Sequence, residues 1–181
     1  MRDLMLDIET LGTSYGSVVT QIGLLYFDRY SGKTGESLKI NLNISDQLKS
    51  GLKVSADSLA FWFAQPKRTF LENTVTLLKG LQLVRDFTFS KSDLKVWAHA
   101  TFDFPILEAL YKITGQGFPF QYRRLRDIRT LVDLSGIDYK KEIKGEGVGD
   151  PKTHDALEDC YYQVKYCTMC FNKLKDKSGA L

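Results

Sequence analysis

Four acids and one histidine carry the chemistry this sequence could do. In LMLDIET, Asp7 and Glu9 stand one residue apart at the end of a run that reads as a buried strand. Alternate side chains of a strand share a face, so both carboxylates point one way with Met5, while Leu4, Leu6 and Ile8 point the other. Like charges held that close beside apolar residues need a cation or a proton between them. The D-x-E alone leaves a second reading open, in which the strand stops at Leu6 and both acids are solvated turn residues. Asp103 in TFDFPIL follows another strand directly and also has two readings: a helix N-cap, with Pro105 in the first turn, or a further ligand. Asp159 sits on the flank of the inner face of a helix, beside Cys160 and three residues from Ala156, where a solvated acid is unusual. His154 opens that helix after a glycine-rich stretch. Carboxylate oxygens suit Mg²⁺ or Mn²⁺ better than zinc. Two such cations would neutralise the acids, orient a water and stabilise the attacking and leaving oxygens on a phosphodiester. His154, with an ordinary pKa of about 6.5, could take that water's proton.

The elements that must position these groups read as follows. Residues 3–8, 18–30 and 36–44 form three strands in a meander, with alternating Leu38, Ile40, Leu42 and Ile44 on the third. A Ser-capped helix over 55–66 stops at Pro66, and a longer one with apolar residues three and four apart covers 69–87. A fourth strand at 94–99 leads into a helix at 104–115 ended by Gly115, and 127–136 is another capped helix. Residues 141–153 form a polar glycine-rich loop, and 154–175 an amphipathic helix with Ala156, Cys160, Val164, Cys167 and Phe171 inward. Strands first, then helices alternating with a strand, predict an α/β fold: one domain over 1–181 with a mixed sheet flanked by helices.

Composition agrees. A chain of 181 residues buries enough surface to fold without disulfides or structural metal. Three cysteines, an odd number, fit a reducing compartment and core packing, and the C-x-x-C at Cys167 and Cys170 lies at helical spacing with Cys160. No apolar run reaches the roughly 20 residues of a membrane helix, so a cytoplasmic protein without membrane contact is expected. Setting four acids aside as ligands leaves 18 of the 22 acidic residues against 25 basic ones, a surface suited to a polyanion. Arg123, Arg124, Arg126 and Arg129, with Lys140, Lys141, Lys144 and Lys152, are either a solvated face or contacts to a nucleic-acid backbone. GEGVGD (145–150) lacks the last glycine of a dinucleotide fingerprint and follows no strand.

The ordered set Asp7-Ile8-Glu9, Asp103 in WAHATFD, and His154 with Asp159 in H-x-x-x-x-D resembles the DEDDh 3′-to-5′ exonucleases of the ribonuclease H-like fold over about residues 3–165. The helix at Trp62 to Gln65 and the D-[IV]-R-T-L segment at Asp127 to Leu131 are similar to the small RNase T-like and phage members. The resemblance implies two divalent cations, Mg²⁺ or Mn²⁺, on Asp7, Glu9, Asp103 and Asp159, with His154 as general base. It implies release of nucleoside 5′-monophosphates from 3′ ends of single-stranded DNA or RNA, and a homodimer. It also implies Thr10 near the terminal 3′-hydroxyl, Leu11 as a wedge against bases, Phe102 as a stacking ring and Arg129 as a backbone contact. His99, four residues before Asp103 where relatives often carry a small polar residue, is either a substrate contact or a satisfied structural histidine. Two other functions remain open: a silent binding module of the same fold, and a small-nucleotide phosphoesterase.

Overall fold

A computed structural model describes residues 1–66, 68–89, 93–143 and 154–178. Its strands are β1 (Asp3–Thr10), β2 (Val19–Phe27), β3 (Thr34–Asn41), β4 (Lys95–Ala98) and β5 (Leu125–Asp127). Its helices are α1 (Ile44–Lys49), α2 (Ala56–Ala64), α3 (Leu77–Thr88), α4 (Asp103–Ile113), α5 (Ile128–Ser135), α6 (Tyr139–Glu142) and α7 (Ala156–Ser178). The sheet order is β3-β2-β1-β4-β5, with the first three strands an antiparallel meander and β1, β4 and β5 parallel. This is the mixed, helix-flanked sheet expected from the sequence.

Strand periodicity sorts β1 between two cores. Leu4, Leu6 and Ile8 face one side, packed with Leu81 and Val84 of α3 and Leu107 and Leu110 of α4. Met5 faces the other with Trp97, Ile128 and Leu131, and with Val164 and all three cysteines of α7. The cysteines are free and fully buried, as core packing requires. Pairing of β1 with β4 covers only Asp3 to Met5 against Lys95 to Trp97. The C-terminal half of β1 therefore runs past the end of β4, and the turn from His99 to Asp103 meets it there.

Helix α7 lies across this overhang because β2 lets it approach. A side chain at Gly23, the partner of Asp7, would put its Cβ 2.3 Å from the Ala156 carbonyl oxygen. Next to it, Gln21 accepts the Ala156 amide at 2.6 Å and is itself paired with Glu9. The first turn of α7 is thereby fixed over the two acids of β1.

Three departures from the sequence reading have local causes. The helix expected over 69–87 begins only at Leu77. Val75 instead bridges Leu42, exchanging hydrogen bonds with Asn41 and Asn43, and Asn73 is left-handed at φ 49°. The third strand ends at Asn41 because Asn43 caps α1, whose Gln47 side chain bonds both backbone groups of Val19 like an extra strand. Strand β5 is three residues long, too short for any alternation to show. Of the loop expected at 141–153, residues 144–153 lie outside the described residues, with Lys144, Lys152 and the GEGVGD run.

Candidate active site

The five chemistry-bearing residues converge, and with His99 they form two groups. Asp7, His99 and Asp103 each offer one ligand atom within 4.8 Å of the others, and so do Glu9, His154 and Asp159. The first, inner group is built on β1 and on the turn from β4 into α4. Asp7 and Asp103 are 7% and 1% exposed. Asp103 is the first residue of α4 rather than its cap; the N-cap position is Phe102, which makes no side-chain capping bond. Its carboxylate instead accepts the His99 amide at 2.7 Å, while its own amide donates to the His99 carbonyl at 3.0 Å. These reciprocal bonds lock the two residues together. Among the described residues the hydrogen bonds of His99 are those of its backbone amide and carbonyl.

The outer group is built on the head of α7. Asp155 caps that helix, its carboxylate accepting the amides of Leu157 and Glu158. The other oxygen of Asp155 takes the Lys39 ammonium at 2.9 Å and the Thr69 hydroxyl at 3.2 Å. His154, just before the cap, is left-handed at φ 46°, a costly conformation for a non-glycine residue and one that clusters at functional sites. Its half-buried ring stands edge-on to Phe61 at 4.8 Å and to Trp62 at 6.0 Å.

Burial and mutual repulsion dominate the electrostatics. Burial, then Asp103, Glu9 and Asp159, hold the Asp7 carboxyl well above its usual range, against a lowering hydrogen bond from Gln163. Burial, the Asp159 charge and a hydrogen bond shared with Asp159 push Glu9 up to about 9. Burial carries Asp103 to about 8, with the amides of His99 and Ile8 and the Arg129 charge pulling the other way. Burial lowers both histidines, His99 to about 4 with help from Arg129. Acids that hold protons at neutral pH are acids lacking a counter-charge, which divalent cations would supply.

The remaining expected residues fall unevenly. Thr10 is nearly buried and donates to the Gly12 carbonyl at 2.6 Å, while its own carbonyl accepts the Trp62 indole at 2.9 Å. Leu11 is held at 4% exposure within the core; the open apolar surface near His154 is Phe61, 43% exposed. Phe102 packs half-buried against the same core. Arg129 is exposed and lines a cavity of about 320 Å³ with His99, Asp133, Tyr139 and Tyr166. The other arginines are engaged differently: Arg126 donates to the carbonyls of Arg123 and Leu125, and Arg123 lies over Tyr122. Lys141 pairs with Asp138.

Sequence reasoning missed Gln163. It is 4% exposed and donates to Asp7 Oδ1 at 2.6 Å, one helical turn beyond Asp159. A buried-side glutamine four residues after the last acid was the available signal. Asp127, legible as a cap and as the first residue of the D-[IV]-R-T-L segment, caps α5 through Thr130 and also accepts the Ala100 amide at 3.0 Å, tying α5 to the turn that carries Asp103.

Comparison with known proteins bears on the fold and the family. No curated protein matches the chain in sequence. Among solved structures, Escherichia coli exonuclease I in complex with a dT13 oligonucleotide superposes with a TM-score of 0.69 at 13% identity, over 98% of this chain and 42% of that one. The zinc-bound form of the same enzyme with single-stranded DNA gives 0.67 at 14%, over 92% and 39%. The nuclease domain of 3′hExo, a DEDDh family member bound to rAMP, gives 0.65 at 9% identity, over 94% and 91%. The chain thus spans about two fifths of exonuclease I and nearly all of the 3′hExo domain, and shares the ribonuclease H-like fold of both. Residues 2–171 match the family described as the 3′-5′ exoribonuclease Rv2179c-like domain, and the chain belongs to that family.

Proposed function

We propose that this chain hydrolyses single-stranded nucleic acid from the 3′ end, releasing nucleoside 5′-monophosphates, with two divalent cations, Mg²⁺ or Mn²⁺, held by Asp7, Glu9, Asp103 and Asp159. The observation that carries this reading is the convergence of three separate sequence motifs into two adjoining groups of ligand atoms, each within 4.8 Å. The donor set fits the cations on two counts: hard carboxylate oxygens, and buried acids whose raised pKa values mark missing positive charge. Bound there, the cations supply Lewis-acid stabilisation of phosphodiester oxygens and a more acidic water.

The chain's own residues do the rest. His154, whose pKa burial lowers, accepts the proton of the attacking water. Asp155 and its Lys39 tether hold the helix head beside it. Thr10, in the turn fastened by Trp62, receives the terminal 3′-hydroxyl, with Leu11 and Phe102 forming the floor beneath the last base. Arg129, exposed beside His99, meets a backbone phosphate. Beyond Asp127 a cavity of about 630 Å³ lined by Phe118, Phe120 and Tyr122 offers aromatic faces to the bases that follow. The family description favours RNA over DNA as substrate.

Matched RNA and DNA oligonucleotides labelled at the 5′ end test the reading. With Mg²⁺ or Mn²⁺, products should shorten stepwise from the 3′ end, RNA faster than DNA, and chelator should stop both. Efficient cutting of circular single strands would show an endonuclease instead, and turnover of nitrophenyl phosphate without oligonucleotide loss would show a phosphomonoesterase.

A further inference from the structure

The two halves of the site do not offer the same donors in the same state. In the outer group the His154 ring stands edge-on to Phe61 and Trp62 and is placed to take a proton. In the inner group the histidine is anchored. The amide and carbonyl of His99 are both engaged, the amide by the Asp103 carboxylate and the carbonyl by the amides of Phe102 and Asp103. This leaves the ring as a fixed, half-buried donor without a hydrogen-bond partner among the described residues. Its ligand nitrogen falls within 4.8 Å of oxygens of both Asp7 and Asp103, a spread that one ion with ligand bonds of about 2.0–2.2 Å can span.

A second observation points to the same place. Gln163, 4% exposed, gives its Nε2 to Asp7 Oδ1, while its buried Oε1 has no partner among the described residues. An orphaned buried acceptor beside a carboxylate ligand suits the hydration shell that small divalent cations keep.

We propose that His99, Asp7 and Asp103 form a mixed nitrogen–oxygen cation position, with Gln163 supporting it, that takes a transition ion such as Mn²⁺ in preference to Mg²⁺. The inference rests on the two-cation reading above and sharpens it. Imidazole suits borderline transition ions, whereas Mg²⁺ favours an all-oxygen shell, so a neutral ring nitrogen in place of an oxygen shifts the balance between them. Arg129 also faces this cavity, but its exposed charge is screened by solvent while the two carboxylates are buried. The outer group, whose histidine must stay free to accept a proton, does not share the preference.

The chain has only two histidines, which makes the position directly readable. The probe is Mn²⁺ added to substrate-free protein carrying ¹⁵N-labelled histidine, read by electron spin echo modulation and by titration against Mg²⁺. Nitrogen coupling should persist in His154→Ala, where His99 is the sole imidazole left, and vanish in His99→Asn. The His99 variant should also lose roughly ten- to a hundredfold in Mn²⁺ affinity at one position, with little change for Mg²⁺. Absence of nitrogen coupling in His154→Ala overturns the inference even if the His99 variant fails to fold, and so does its persistence in His99→Asn. Wild-type protein that binds neither ion would overturn the two-cation reading itself, while binding without nitrogen coupling overturns only the proposal made here.

Discussion

The inner and outer halves of the site are made from the same residue types, two carboxylates and a histidine each, yet they are supported in opposite ways. Asp7 lies on β1 in the middle of the sheet, and His99 and Asp103 lie where β4 turns into α4, locked by backbone bonds with cores on both sides. Glu9 shares β1, but its partners ride on the head of α7, positioned by a tethered cap and by one left-handed residue. Central strand ends are rigid because the sheet cannot open locally; a helix head adjusts with its cap. The inner half is therefore suited to holding charge in place, and the outer half to moving a proton.

The largest effects should come from neutralising the inner acids. Asp7→Asn and Asp103→Asn should each lose at least about 10³-fold in single-turnover rate, since several kcal/mol of transition-state stabilisation goes with the cation they hold. Both proteins should stay folded, and without cation their melting temperatures should hold at neutral pH and rise at high pH, where the wild-type carboxyls ionise and repel. Near-normal rates in both would mean the inner half does not hold a catalytic ion. Glu9→Gln and Asp159→Asn apply the same test to the outer half.

His154→Ala should cost about 10²–10⁴-fold while divalent-ion binding persists. The sign of the pH dependence follows from the base having to be neutral. The wild-type rate should rise with pH through the ionisation of His154, and burial, which lowers that pKa, places the rise on the acid side of about 6.5. The variant should lose this limb. Single-turnover rates of both proteins across pH at saturating Mg²⁺ decide it, and an unchanged acid limb would move the base elsewhere.

How much of this was legible in the sequence differs between the halves. Asp7 and Glu9 could be placed on one face from strand alternation alone, and Asp159 from helical spacing, because periodicity reports orientation directly. Asp103 was ambiguous because a helix cap and a strand-end ligand have the same local signature. Only the hydrogen bond back to His99 separates them. The partners that lock each half, Gln163 on Asp7 and Lys39 on Asp155, lie 156 and 116 residues apart in sequence, and no local pattern encodes contacts of that range. The same holds for β5 and for the extended stretch before α3, where pairing with a distant strand overrides an apparently helical run.

Stability against pH gives a smaller but independent readout. In the unfolded chain Glu9 and Asp103 titrate near about 4, whereas in the folded protein they reach about 9 and about 8. Between those values the folded state holds protons that the unfolded state has released, so stability is full below about pH 4 and declines as pH rises toward about 9. The cation-free melting temperature should fall by several degrees from about pH 5 to about pH 9. Mn²⁺ or Mg²⁺ should restore it, with the larger gain at high pH, where binding displaces fewer protons. A melting temperature independent of pH without cation would show that these acids already have a counter-charge.

The smallest effects should separate the two kinds of support. Gln163→Leu removes a donor to a buried carboxylate and should cost roughly tenfold in rate, the equivalent of one hydrogen bond to a charged group. Lys39→Met removes a tether whose lysine is 38% exposed, and such pairs are worth about 0–1 kcal/mol, so the rate should fall by no more than about fivefold. What distinguishes the tether is where its effect appears. Asp155 caps the helix that places His154 and touches neither inner acid, so loss of Lys39 should lower kcat with KM and Mn²⁺ affinity unchanged, and Lys39→Arg should restore it. Reduced Mn²⁺ affinity in Lys39→Met, matching that of Gln163→Leu, would show that the two halves move as one body and that the division of labour between them is not real.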